Sequence, residues 1–102
     1  MTEDKFAIRL ALLREQKGVS ARDMSLSMGQ NPGYINNIET GKSLPSLSGF
    51  FYICEYLGIT PKEFFDDTIK YPAELKSIIS GLQKLTPEQL NSLEVIIKGL
   101  TK

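Results

Sequence analysis

The side chains able to do chemistry in this 102-residue chain are few, and they favour recognition over bond-making. There is no histidine, and Cys54 is the sole cysteine. A nucleophilic thiol needs a basic neighbour to hold it as thiolate, and the usual one is missing. No residues cluster at metal-ligand spacing, and no glycine-rich loop is placed to cradle a phosphate. No enzyme activity, metal or cofactor is therefore expected, and Cys54 reads as a small packed hydrophobe. What stands out is a pair of neighbouring amides, Asn36 and Asn37, with Arg22 and Lys42 near the two ends of the segment that holds them.

That segment runs from Ser20 to Gly41 and must present the amides on something rigid. Ser20 is a good N-cap, with Met24 and Met28 at i, i+4 behind it. Gly29 ends the first helix, since a residue just past a helix often needs the left-handed conformation that glycine adopts freely. Asn31 as N-cap and Pro32 at the first helical position are expected to start a second helix. Tyr34, Ile35 and Ile38 form one apolar edge of it, leaving Asn36 and Asn37 on another face, and Gly41 closes it. Two short helices around a glycine turn cannot cover their apolar edges alone, so flanking helices must supply a core.

The motifs Lys17-Gly18-Val19-Ser20, Met28-Gly29, Tyr34-Ile35, Ile38-Glu39-Thr40-Gly41-Lys42 and Leu44-Pro45-Ser46-Leu47 resemble the phage repressor/Cro (xenobiotic-response-element) helix-turn-helix family. The resemblance covers about Phe6 to Asp67. It implies an all-α, five-helix lambda-repressor-like domain over residues 1–67, binding double-stranded DNA as a transcriptional regulator, usually a dimeric repressor. It also implies the site. Base-reading positions map to Pro32, Gly33 and Asn37 with Asn36 alongside, and an asparagine amide pairs well with adenine N6 and N7. Phosphate contacts map to Ser20, Arg22, Asn31, Tyr34, Thr40, Lys42 and Ser43, through side chains or the backbone N–H groups beside them. Arg14 and Glu39 occupy the positions of an ion pair that ties the reading helix to helix 1. Two departures weigh against the resemblance: Pro32-Gly33 offers no side-chain hydrogen bonds, and Ala21 stands where relatives often carry glutamine. Specificity must then come from the two asparagines, close backbone approach or DNA shape.

Charge is a further departure. The net charge is zero, and residues 1–67 carry seven Lys/Arg against nine Asp/Glu. Many nucleic-acid binders have a basic patch, because neutralising phosphates releases counterions. A polarised surface and modest non-specific affinity are expected here. Apolar residues make up 41% and charged residues 24%, as in ordinary globular proteins. No apolar run approaches the ~20 residues of a membrane span and no signal peptide is visible, so a cytoplasmic protein without membrane contact is expected.

Helix 1 is expected over Asp4 to Lys17, with Phe6, Leu10 and Leu13 as its core stripe. Ile8 and Leu12 lie on a second face, which is either part of a wide buried stripe or a docking surface. Helix 4, capped by Ser46, carries a stripe of Leu47, Phe50, Ile53, Cys54 and Leu57. Phe51, Tyr52 and Tyr56 lie off that stripe as a candidate partner surface. Thr60-Pro61-Lys62-Glu63 is a capping box that opens helix 5. Residues 68–102 read as a two-helix hairpin used in packing or dimerisation, with a second capping motif at Thr86 and Gln89. Its apolar positions include Leu93, Ile97 and Leu100. Two helices of this length need to pack on the first five, on a twin, or on both. A homodimer is expected. The alternatives are an antitoxin whose hairpin binds a toxin, and a protein-interaction module that retains the helix-turn-helix fold.

Overall fold

The computed structural model describes all 102 residues as seven helices with no strand. They are α1 (Glu3–Lys17), α2 (Ala21–Ser27), α3 (Tyr34–Glu39), α4 (Leu47–Leu57), α5 (Pro61–Phe65), α6 (Pro72–Leu82) and α7 (Pro87–Leu100). Most boundaries follow from local chemistry. The Ser20, Ser46, Thr60 and Thr86 side chains each accept the N–H three residues on. At Thr60 and Thr86 the residue at that third position returns the bond, completing capping boxes.

The core is built by α1 to α5, chiefly by α1 packing on α3 and α4, α2 on α3, and α4 on α5. Leu10, Met24, Ile35, Ile38, Ile53 and Phe64 are its most deeply buried members. Phe6 leans on Phe64 at 4.9 Å between ring centroids, and Phe50 meets Phe64 edge-on at 5.1 Å. Offset and edge-on rings add to what their burial alone supplies. Cys54 is buried in the same core, and desolvation pushes its thiol up to about 11, so it stays protonated and unreactive.

The structure overturns one expectation about this core, decides a second that stood open, and adds a buried residue to it. Leu47 is 70% exposed, because it opens the first turn of α4 and overhangs the edge of the core that its stripe otherwise enters. Ile8 and Leu12 are both exposed, so the second face of α1 is an uncovered surface and not a wide buried stripe. Arg9, which the apolar pattern passed over, is only 4% exposed. Its guanidinium donates to the carbonyls of Phe64 (2.7 Å), Glu63 (2.8 Å) and Asp66 (3.0 Å) at the end of α5. A helix C-terminus leaves carbonyls without partners, and a buried cation satisfying three of them holds α5 against α1.

α6 is rooted in this head and then leaves it. Pro72 is buried, Gln16 Nε2 donates to the Lys70 carbonyl at 2.6 Å, and Lys76 Nζ lies 3.7 Å from Glu63. Beyond that the expected hairpin does not close. Leu82, Leu85 and Leu93 are half-buried near the turn, but Ile78, Ile79, Ile96, Ile97 and Leu100 are exposed and α7 has no buried residue. The molecule measures 50 × 26 × 22 Å, with a radius of gyration of 16.7 Å. A compact domain of this length would have about 13 Å. The apolar arm is covered neither by the head nor by itself.

Candidate nucleic-acid interface

α2 ends in a turn set by Gly29, whose φ is +73°. The Gln30 N–H reaches back to the Ser25 carbonyl and the Gly29 N–H to that of Leu26, a Schellman closure. α3 ends in the same way around Gly41, with Lys42 and Gly41 N–H groups returning to Asn37 and Ile38.

The start of α3 differs from expectation. Asn31 and Pro32 do not begin the helix; they form a turn, and the regular helix opens at Tyr34 with Gly33 in the cap position. Asn31 Oδ1 accepts the Gly33 N–H at 3.1 Å, so its acceptor organises the turn one step before the helix. Proline and glycine thus form the leading corner, where a flat backbone can come close to a partner surface.

Along α3, Ile35 and Ile38 are buried while Asn36 and Asn37 are exposed, as is Pro32 in the turn before it. The Thr40 hydroxyl donates to the Asn36 carbonyl at 2.8 Å, but no side chain of the molecule bonds the Asn36 or Asn37 amides. Arg22, Asn31, Thr40, Lys42 and Ser43 are exposed around this edge, as is Ser20, whose hydroxyl is engaged by Asp23 N–H at 3.0 Å. Tyr34 is half-buried, and burial pushes its phenol pKa up. Its hydroxyl lies against Gly49 at the start of α4, so close that a Cβ there would come within 2.6 Å of it.

α3 is held at both ends. At its C-terminus Arg14 Nε donates to Glu39 Oε2 at 2.7 Å and Nη2 to Oε1 at 2.9 Å, a bidentate pair. Arg14 Nη1 also reaches the Val19 carbonyl at 2.8 Å. The carboxylate holds the guanidinium pKa above its ordinary value. At its N-terminus the buried Ser25 hydroxyl accepts the Ile35 N–H at 2.9 Å. Reasoning from sequence missed Ser25, although Ala21 and Ser25, two small residues one turn apart, are the signal of a close helix approach.

The other candidate surfaces are dispersed. Phe51 and Tyr52 are exposed on α4, while Tyr56 is half-buried beneath Lys17, whose Nζ lies 4.9 Å from the ring centroid. Leu93 is half-buried, and Ile97 and Leu100 are exposed at the far end of the arm.

Two short helices across a glycine turn, the second pinned at both ends with its polar edge outward, define a helix-turn-helix unit. A family model described as a helix-turn-helix domain matches residues 7–68, and the chain belongs to that family. The match ends where α5 gives way to the link into α6. No curated protein and no solved structure matches the chain. No helix is long and apolar enough to cross a membrane.

Proposed function

We propose that the chain is a sequence-specific DNA-binding transcriptional regulator, a dimeric repressor of prokaryotic or phage type without enzyme activity. The observation that carries this reading is the outer edge of α3, where two unengaged asparagine amides project from a helix braced at both ends. α3 enters the major groove, Asn37 reads a base edge with Asn36 beside it, and Pro32-Gly33 bring the backbone close. Arg22, Lys42 and the turn around Thr40 and Ser43 hold phosphates, with Ser20, Asn31 and Tyr34 at the rim. The second partner is another copy of the chain, joined through the uncovered arm, which gives two reading helices for two half-sites about one helical turn apart.

Anisotropy titrations with duplex DNA across a salt series test this. Affinity falls steeply with salt, by a log–log slope of about 0.9 for each phosphate neutralised. Lys42→Ala reduces that slope by about 1 for all sequences alike, whereas Asn37→Ala costs about 1–3 kcal/mol at one base position. A salt-independent or absent interaction would count against DNA binding. The uncovered apolar arm also favours a second reading, an antitoxin whose arm holds a toxin. A strictly monomeric chain at micromolar concentration in sedimentation would move the balance to it.

A further inference from the structure

α3 starts without a side-chain cap, since Gly33 has none to offer. The first N–H groups of any helix lack acceptors within it. Tyr34 N–H returns to the Asn31 carbonyl at 3.2 Å, but Ile35 is fully buried and its N–H has no water to turn to. Its acceptor is the Ser25 hydroxyl, ten residues back on α2. That hydroxyl donates its own proton to the Ala21 carbonyl at 2.8 Å, which leaves a lone pair directed at α3. Ser25 is itself fully buried.

We propose that Ser25 is a positioning residue for base recognition: its hydroxyl fixes the roll and depth at which α3 presents Asn36 and Asn37. The inference rests on the DNA-binding reading above. A helix with side chains is roughly 10–12 Å across, so a roll of about 15° moves a side-chain tip by about 1.3 Å. A hydrogen bond to a base edge holds over a window of only about 0.5 Å. Flexible cations on phosphates tolerate such a shift, and two asparagine amides on a short helix do not. Losing the Ser25 hydroxyl therefore removes discrimination and spares non-specific affinity.

The test uses the full chain, a preferred duplex selected from a random pool, and a random duplex. Ser25→Ala lowers the preferred-to-random affinity ratio by about tenfold or more, the discrimination of one good base contact. Random-duplex affinity and its salt slope stay as in the wild type, and so does the ratio for Ser27→Ala on the exposed side of α2. An unchanged ratio in a folded Ser25→Ala chain overturns the proposal while leaving DNA binding intact. A wild type that binds neither duplex overturns both. Amide exchange on the unbound wild type tests the geometry without any variant. An Ile35 N–H protected as strongly as that of Ile38 supports the brace, and one exchanging like a free first-turn amide refutes it.

Discussion

Replacing Glu39 with glutamine removes the charge that holds Arg14 and leaves the shape nearly unchanged. In the native pair the Arg14 and Glu39 side chains are 15% and 10% exposed, with two hydrogen bonds of 2.7 and 2.9 Å between them. Stranding one member of a fully buried pair costs about 3–5 kcal/mol. Arg14 keeps the Val19 carbonyl at 2.8 Å, Glu15 remains 3.8 Å away, and the head is slightly open to water there. The expected loss is therefore nearer about 2–3 kcal/mol, or on the order of 10–20 °C in melting temperature for a domain of this size. Arg14→Met strands the carboxylate instead. Urea unfolding of Arg14→Met, Glu39→Met and Arg14→Met/Glu39→Met gives the coupling energy. The apolar double variant is more stable than the worse single one, because no charge is left stranded. A coupling below about 0.5 kcal/mol would place this pair among ordinary surface contacts and refute the argument.

Gly49→Ala is expected to change sign with its background. The added Cβ would meet the Tyr34 hydroxyl at 2.6 Å and Ser46 Oγ at 3.1 Å, and crowding of this kind costs about 1–3 kcal/mol against a helix-propensity gain of about 1. Denaturation should show a loss in the wild type and a gain in Tyr34→Phe; the same sign in both would rule out the contact. Glu63 supplies a pH test. The Thr60 backbone N–H, with Lys76 nearby, holds its carboxyl below the ordinary value of 4.5. Its stabilising contribution is thus complete above that value and is lost as pH falls through the lower folded one. Glu63→Gln, which keeps the capping box, should flatten the fall in melting temperature below about pH 5; an unchanged slope removes Glu63 from acid unfolding.

How much of this was legible in the sequence depends on how far each signal reaches along the chain. Caps act over three residues, so Ser20, Ser46, Thr60 and Thr86 mark their helices correctly. The core stripes of α1 and α4 follow from helical periodicity, apart from Leu47, where the helix continues past the core it serves. Arg9 was harder to read because its three acceptors lie more than fifty residues away. Its spacing from Phe6 and Leu13 does put it on the stripe's flank, and an arginine there calls for buried acceptors. The opening of α3 was misplaced because Asn31-Pro32 satisfies the rules for a helix start. Its true start depends on Ser25, an acceptor from another helix. The amides at Asn36 and Asn37 were visible from the first, but their orientation depends on that tertiary contact.

The head and the arm answer different physical demands. The head closes its core with buried aromatics, one buried arginine and a bidentate ion pair, and so holds α3 rigidly without a partner. The arm cannot do the same. Helices of 11 and 14 residues are marginal in water even with good propensity, and here their apolar faces remain uncovered. Residues 68–102 carry five Lys/Arg against three Asp/Glu, so charge opposes self-association only weakly. Two arms can supply each other with the four apolar faces that neither covers alone. Because Pro72, Gln16 and Lys76 fix the root of α6 to the head, joining two arms also sets the separation and relative rotation of two α3 helices. On this reading the arm contributes to specificity without touching a base. If the proposed dimer forms, the arm sets which half-site spacing the paired α3 helices can span, and the proposed base readers Asn36 and Asn37 set which bases they accept.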